Sequence, residues 1–209
     1  MRIEEIKPSR RKQGRVLVKL EDGSILRLSE AQAAAFALRP GMELDDGLRA
    51  EIEAAVRRAD TRSAAAGLAG SRALSRRELE EKLARKGLAA EDVQAAADWL
   101  EDLGAIDDAA YARLVARHYG DRGYGAGRVR EELRRRGVPQ ALWEEALAEL
   151  PDSGEAIRAL LAKKVRGDDL SDPRERRRLS GALLRRGFSW EEIRPALDAL
   201  GRDEEDWQL

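Results

Sequence analysis

The 209-residue sequence has no cysteine, a single histidine and few aromatic side chains, which make up 4% of the total. Without cysteine there are no disulfides, no thiolate nucleophiles and no cysteine metal sites. No apolar run approaches the eighteen or so residues that a membrane span requires. The opening Met1-Arg2-Ile3-Glu4-Glu5 has no apolar stretch behind its charge, so a secretory signal is not expected and the cytosol is the default compartment. Formal net charge is −1, which excludes a polycation as a whole, although a balanced total can hide a segregated distribution. The chain is instead rich in charge, 38% of its residues, and in Ala, Leu, Glu and Arg, which lose little rotamer freedom in a helix.

Near the start, Arg15-Val16-Leu17-Val18-Lys19-Leu20 and Ile25-Leu26-Arg27-Leu28 alternate in polarity around Glu21-Asp22-Gly23-Ser24. This predicts a β-hairpin, with room for a short first strand around Ile3 to Ile6. Ser29-Glu30 should open a short Ala-rich helix that Arg39-Pro40-Gly41 stops, and a helix should cover the strands, which alone would be marginal.

From about Asp46 onward only helical periodicity is present, and it repeats. Leu79, Leu83, Gly87 and Val93 recur fifty residues later as Val129, Leu133, Gly137 and Trp143, and again as Leu179, Leu183, Gly187 and Ile193. Ala96, Ala146 and Ala196 continue the match, followed by Leu100, Leu150 and Leu200. Leucines four apart share a helix face, and a glycine after the last helical residue suits a left-handed C′ position. The next helix starts at Ala89, Pro139 and Ser189, with Pro139 as a first helical residue; Ser189 with Glu192 forms a capping box, and Ser75 with Glu78 also marks a start. A third helix precedes each pair, over about Glu51–Ala69, Asp107–Tyr119 and Ser153–Arg166. The expected fold is mainly α: three tandem three-helix repeats stacked as a curved solenoid, with a small N-terminal β-hairpin plus helix. Its divisions are 1–46, 47–104, 105–151 and 152–209.

Catalytic chemistry finds little support. Gly120 to Gly127 lacks the strand that a dinucleotide fingerprint needs, and reads as an interhelix connection. His118, near Tyr111, Leu114 and Val115 on the helical wheel, reads as an edge-of-core residue without a Ser or Cys partner. The carboxylates scatter along solvated faces. No enzyme, metal or cofactor is expected.

Each repeat resembles a helix-turn-helix, yet the helix after the glycine is acidic: Glu91, Asp92, Asp98, Glu101 and Asp102, then Glu144, Glu145 and Glu149, then Glu191, Glu192 and Asp198 against Arg194. Such helices are unsuited to a phosphate-lined groove. Basic residues precede the glycine instead. At 100° per residue from Leu133, Arg128 and Arg135 fall opposite the core, and Arg85, Arg178 and Arg185 are their repeat counterparts. Together with Arg130 they form an expected basic ridge for an acidic partner, with Tyr124, Arg134 and Arg177 as additional contacts. Offsetting the helix macrodipole, at about 0.3–1 kcal/mol per exposed cation, accounts for Arg85-Lys86, Arg135-Arg136 and Arg185-Arg186 equally well, but less well for cations early in a helix. Trp99, Trp143 and Trp190 read as packing residues, leaving Tyr119, Tyr124 and Trp207 as candidates for base stacking.

Asp107-Asp108-x-x-Tyr111-Ala112 and Tyr124-Gly125-x-x-Arg128-Val129-Arg130-x-Glu132-Leu133-x-x-Arg136-Gly137-Val138 resemble the RecX family of regulatory proteins. Ser75-x-x-Glu78-Leu79-x-x-x-Leu83-x-x-Lys86-Gly87 resembles the family's first repeat, and the likeness runs from about residue 50 to 200. The resemblance implies a cofactor-free bacterial cytosolic monomer that binds the RecA filament on DNA, lodges in its groove and restrains recombinase and co-protease activity. It places Tyr124, Gly125, Arg128, Arg130, Glu132, Leu133 and Gly137 in the family motif. The alternative is a helical-repeat protein that binds DNA phosphates directly through the same ridge; weak direct DNA binding is compatible with either.

Overall fold

A computed structural model describes residues 1–164 and 172–206. The strands form one antiparallel sheet in the order β1-β2-β3, with β1 at Ile3–Pro8, β2 at Arg15–Leu20 and β3 at Ile25–Ser29. The expected hairpin is thus two strands of three, and β1 runs past Ile6 to Pro8. Alternation along β2 sends Val16, Val18 and Leu20 inward, where they pack with Ile3, Leu28, Leu44 and Ile52. Leu17 and Lys19 therefore turn outward. Ser29 caps α1 (Glu30–Ala35) through a reciprocal capping box with Gln32. This helix ends before Arg39-Pro40-Gly41, with Ala37 already in a left-handed conformation. A 26-residue helix, α2 (Asp46–Ser71), follows and supplies Ile52 and Val56 to the sheet's core.

Eight further α-helices are described: α3 (Arg76–Ala84), α4 (Ala90–Asp102), α5 (Asp108–Gly120), α6 (Ala126–Arg135), α7 (Trp143–Leu147), α8 (Ser153–Lys164), α9 (Pro173–Arg185) and α10 (Trp190–Asp206). The chain is mainly α and its helices follow the three-helix order expected from the repeat. The end of the expected third-repeat first helix, at Arg166, lies outside the described residues, as does Trp207. Two compact units emerge, residues 1–70 with 82–100 and residues 71–81 with 101–209.

The repeat signature is realised locally. Gly87, Gly137 and Gly187 all have positive φ, between 70° and 87°, as a left-handed helix end demands. Ser75 with Glu78 and Ser189 with Glu192 make both bonds of a capping box. Leu79, Leu83, Val93, Val129, Leu133, Trp143, Leu179, Leu183 and Ile193 are all buried. Pro139 departs from expectation. Its ψ of 135° places it before the helix, as the cap of a 3-10 turn (Gln140–Leu142) that leads into α7. The Trp143 ring explains the tight entry, because its Nε1–H donates to the Val138 carbonyl at 3.0 Å. His118 also departs: it is exposed, beside Arg122, rather than at the edge of the core. Trp190 is exposed as well, at 54% of its surface, so it is not a packing residue.

Candidate partner-binding surface

Helix α6 carries the densest run of expected contact residues. Val129 and Leu133 bury its inner face together with Tyr111, Val115 and Trp143. Glu132 follows Val129 by three residues and adjoins Leu133, so helical geometry carries it inward too, to 4% exposure. A buried carboxylate must be compensated. Arg135 does so at 2.6 Å, Arg128 at 3.2 Å and Arg136 at 3.5 Å. Burial pushes the Glu132 carboxyl up. Hydrogen bonding and charge from Arg135, with Tyr119 and Arg136, outweigh that and hold it below the usual carboxylate range. Arg136 also donates to the Tyr111 hydroxyl at 2.5 Å, and that hydroxyl donates to Glu78 at 2.9 Å. Burial and the Glu78 bond raise the Tyr111 pKa, keeping the hydroxyl a donor.

Two turns in the second unit are docked in the same way, fifty residues apart. Ser75, at the start of α3, donates its hydroxyl to the Arg136 carbonyl. Gly125, its repeat counterpart before α6, donates its N–H to the Arg186 carbonyl at 2.9 Å, and Gly127 donates to the Gly187 carbonyl at 2.9 Å. The approach is close. A Cβ at Gly187 would lie 2.2 Å from the Arg128 nitrogen, and one at Gly137 would lie 2.2 Å from Arg77 Cδ. Each Gly-containing turn thus receives the preceding repeat's first basic helix. The arginine before each glycine completes the joint: the Arg186 side chain donates to the Arg122 and Gly123 carbonyls and lies 5.2 Å over the Tyr124 ring.

The expected ridge residues consequently separate into two groups. Arg128 and Arg135 hold Glu132, Arg130 pairs with Glu144 at 3.3 Å, and Arg178 pairs with Glu175 at 2.6 Å. Arg128 is only part-exposed and its backbone abuts Gly187. Arg134 lies 5.6 Å over Trp143, and Tyr124 packs edge-on against Tyr119. By contrast, Arg85, Arg177 and Arg185 are exposed and make no ion pair among the described residues. The acidic helix of the second repeat is partly neutralised from within, as Glu145 pairs with Arg113 and Glu149 with Arg117.

The glycine joints and the Glu132 cluster are features that sequence reasoning did not find. Glu132 carried a usable signal, its position on the Val129–Leu133 arc. Gly125 and Gly127 carried none, because what they avoid is the backbone of Gly187, about sixty residues away. Among the described residues no group of His, Asp or Glu could hold a metal ion, and no helix is long and apolar enough to cross a membrane.

Residues 107–147 match the family model for the second three-helix domain of RecX, and residues 152–197 match that for the third. A regulatory protein RecX from Prosthecochloris aestuarii is 35% identical over 147 residues, which span 68% of this chain and 95% of that protein. Another from Chromohalobacter salexigens is 38% identical over 140 residues, spanning 66% and 91%. The chain belongs to the RecX family. Its curated relatives carry the name of regulatory proteins. The fold agrees: a crystal structure of regulatory protein RecX superposes with a TM-score of 0.76 over 94% of this chain and 98% of that one, at 24% identity. RecX from Lactobacillus salivarius gives 0.63 over 70% and 97%, also at 24% identity. Tyr111, Glu132, Gly137 and Val138 fall within the matched second domain, and Gly187 within the third.

Proposed function

We propose that this chain is a non-enzymatic cytosolic regulator that binds the RecA filament on DNA, in its groove, and restrains its recombinase and co-protease activity. Family membership supports the partner. The observation that carries the contact assignment is the division of the arginines into those spent on Glu132 and those left exposed. Arg85, Arg177 and Arg185 are exposed cations that no carboxylate pairs among the described residues. They are the contacts that an acidic groove would engage, and Arg135, 67% exposed, can share its charge between Glu132 and a partner. Arg128, Arg130, Arg134 and Tyr124 act chiefly by holding the turns in place.

The test is the double variant Arg85→Glu/Arg185→Glu assayed for inhibition of RecA ATPase and for co-sedimentation with RecA filaments on single-stranded DNA. Loss of both at unchanged helicity is expected, since reversal juxtaposes like charges at the interface. Full inhibition by that variant would remove the ridge from the account. Retention of inhibition-competent protein on DNA lacking RecA, abolished by the same variant, would favour the alternative of direct phosphate binding by these arginines.

A further inference from the structure

The strand connection and outer face of the N-terminal sheet enclose a concavity of about 710 Å³. Its walls carry Lys7, Arg10, Arg11, Lys12, Arg15 and Arg27, against one carboxylate, Asp60. The sheet register explains the gathering. Lys7 pairs with Leu17 and Leu17 pairs with Arg27, so the three side chains form a row across β1, β2 and β3 on the face opposite Val16 and Val18. Neighbouring strands lie about 4.8 Å apart, which puts the two cations at the ends of a row roughly 10 Å long, with Leu17 between them. The β1–β2 connection then brings Arg10, Arg11 and Lys12 to one end of the row. Ser9 shapes it, its hydroxyl accepting from the Arg11 and Lys12 N–H groups at 3.3 Å.

Compensation within the fold is slight. Asp60 takes up Arg15 at 2.7 Å, and Glu5 takes up Lys7 at 2.7 Å. Arg10, Arg11, Lys12 and Arg27 are exposed and make no ion pair among the described residues. A chain with a net charge of −1 has carboxylates to spare, yet Asp60 alone of them lines this wall.

We propose that this groove binds the phosphodiester backbone of a nucleic-acid strand. Apolar surface among the charges decides between a nucleic acid and an acidic peptide. Leu17 stands between Lys7 and Arg27 in the row, and Ile25 lines the same wall, a surface that sugars and bases can cover and acidic side chains cannot. Consecutive cations at positions 10, 11 and 12 continue the row for successive phosphates. Arginine's planar fork fits phosphate oxygens in pairs, and four of the six cations are arginines. Leu17 and the exposed Ile25, at 44%, supply apolar floor for sugars and bases alongside the charges.

The experiment uses the full chain without RecA and follows fluorescence anisotropy of a labelled oligo(dT) strand, and of a duplex of equal length, across a salt series. The variant is Arg10→Gln/Arg11→Gln/Lys12→Gln, with Arg27→Gln as a second variant in case the connection rearranges. Binding should weaken by about tenfold or more for the triple variant. Its log–log salt slope should flatten by about 2, each lost phosphate contact contributing roughly 0.7 on a single strand. Arg85→Glu/Arg185→Glu should bind like the parent, which keeps this test separate from that of the RecA surface. Equal affinity and slope for parent and both groove variants would overturn the proposal. So would loss of oligonucleotide binding in the Arg85/Arg185 variant alone, or displacement of oligo(dT) by polyglutamate at lower concentration than by unlabelled oligo(dT). A preference for strand over duplex would place bases on Leu17 and Ile25, and equal affinity would assign binding to phosphates alone; both support a backbone site.

Discussion

Arginines cluster in two very different settings in this protein. At α6 and α9 four of them stand three or four residues from a glutamate, and the helix turns acid toward base: Glu132 gathers Arg128, Arg135 and Arg136, and Glu175 takes Arg178, while Arg177 and Arg185 have no such partner among the described residues. In the β1–β2 connection Arg10, Arg11 and Lys12 are consecutive, and among the described residues no carboxylate is brought back to them. Equal charge density in sequence therefore has opposite meanings. A helix neutralises at intervals of three and four, whereas a turn does not. Cations that remain exposed after folding are the ones whose repulsion a partner can relieve.

If this contrast is right, substitutions in the helical cluster should register in stability and those in the connection should not. The largest effect belongs to the joint beneath Arg128. Gly187→Ala should destabilise the second unit by about 3 kcal/mol or more, since its Cβ meets the Arg128 backbone and φ is +87°. Gly87→Ala should cost only about 1 kcal/mol, because at φ +77° its Cβ enters open space. Urea denaturation followed by circular dichroism measures both, and equal costs would dissolve the joint.

Next comes Glu132→Ala, expected to cost about 2 kcal/mol by leaving Arg136 half-buried without its carboxylate. The same group predicts a pH dependence. Its folded pKa lies below its unfolded value of about 4.3, so its contribution is complete above that value and vanishes as pH falls through the folded pKa. Acid titration of the Tm should therefore be shallower for Glu132→Gln than for the parent. Arg135→Gln should shift the Tm by less than Glu132→Ala, as Arg128 and Arg136 remain on the carboxylate. The smallest change in Tm, indistinguishable from zero, belongs to Arg10→Gln/Arg11→Gln/Lys12→Gln. A marked loss there would show hidden compensation and erase the contrast.

Much of this was legible from the residues. The fifty-residue spacing located the apolar faces, the left-handed glycines and two capping boxes, because each depends on neighbours within one or two turns. The third strand was visible as an apolar stretch at Ile3 to Ile6, although its extent was not. What the sequence concealed was distance-dependent. Helical angles alone put Arg128 and Arg135 opposite the core, but could not show that Glu132 reaches both, nor that Gly187 sits on the Arg128 backbone. Pro139 stands one position before the first helical residue, as a cap, because a 3-10 turn tied to the Trp143 side chain precedes α7. His118 and Trp190 looked like packing residues by composition of their surroundings, and only the packing itself exposes them.

The docked turns also have a direction. Ser75 engages the turn at Arg136, and Gly125 engages the turn at Arg186, each reaching forward to the next repeat. The counterpart of these two residues in the last repeat is Glu175, which instead pairs locally with Arg178, while the earliest turn, at Gly87, offers only empty space to a Cβ. The turns at Gly137 and Gly187 are thus occupied, by Arg77 and by the Arg128 backbone, and the turn at Gly87 is open. At position 87 a change meets backbone strain alone, but at 125, 127, 137 and 187 a change in one repeat has to be answered by a change in its neighbour.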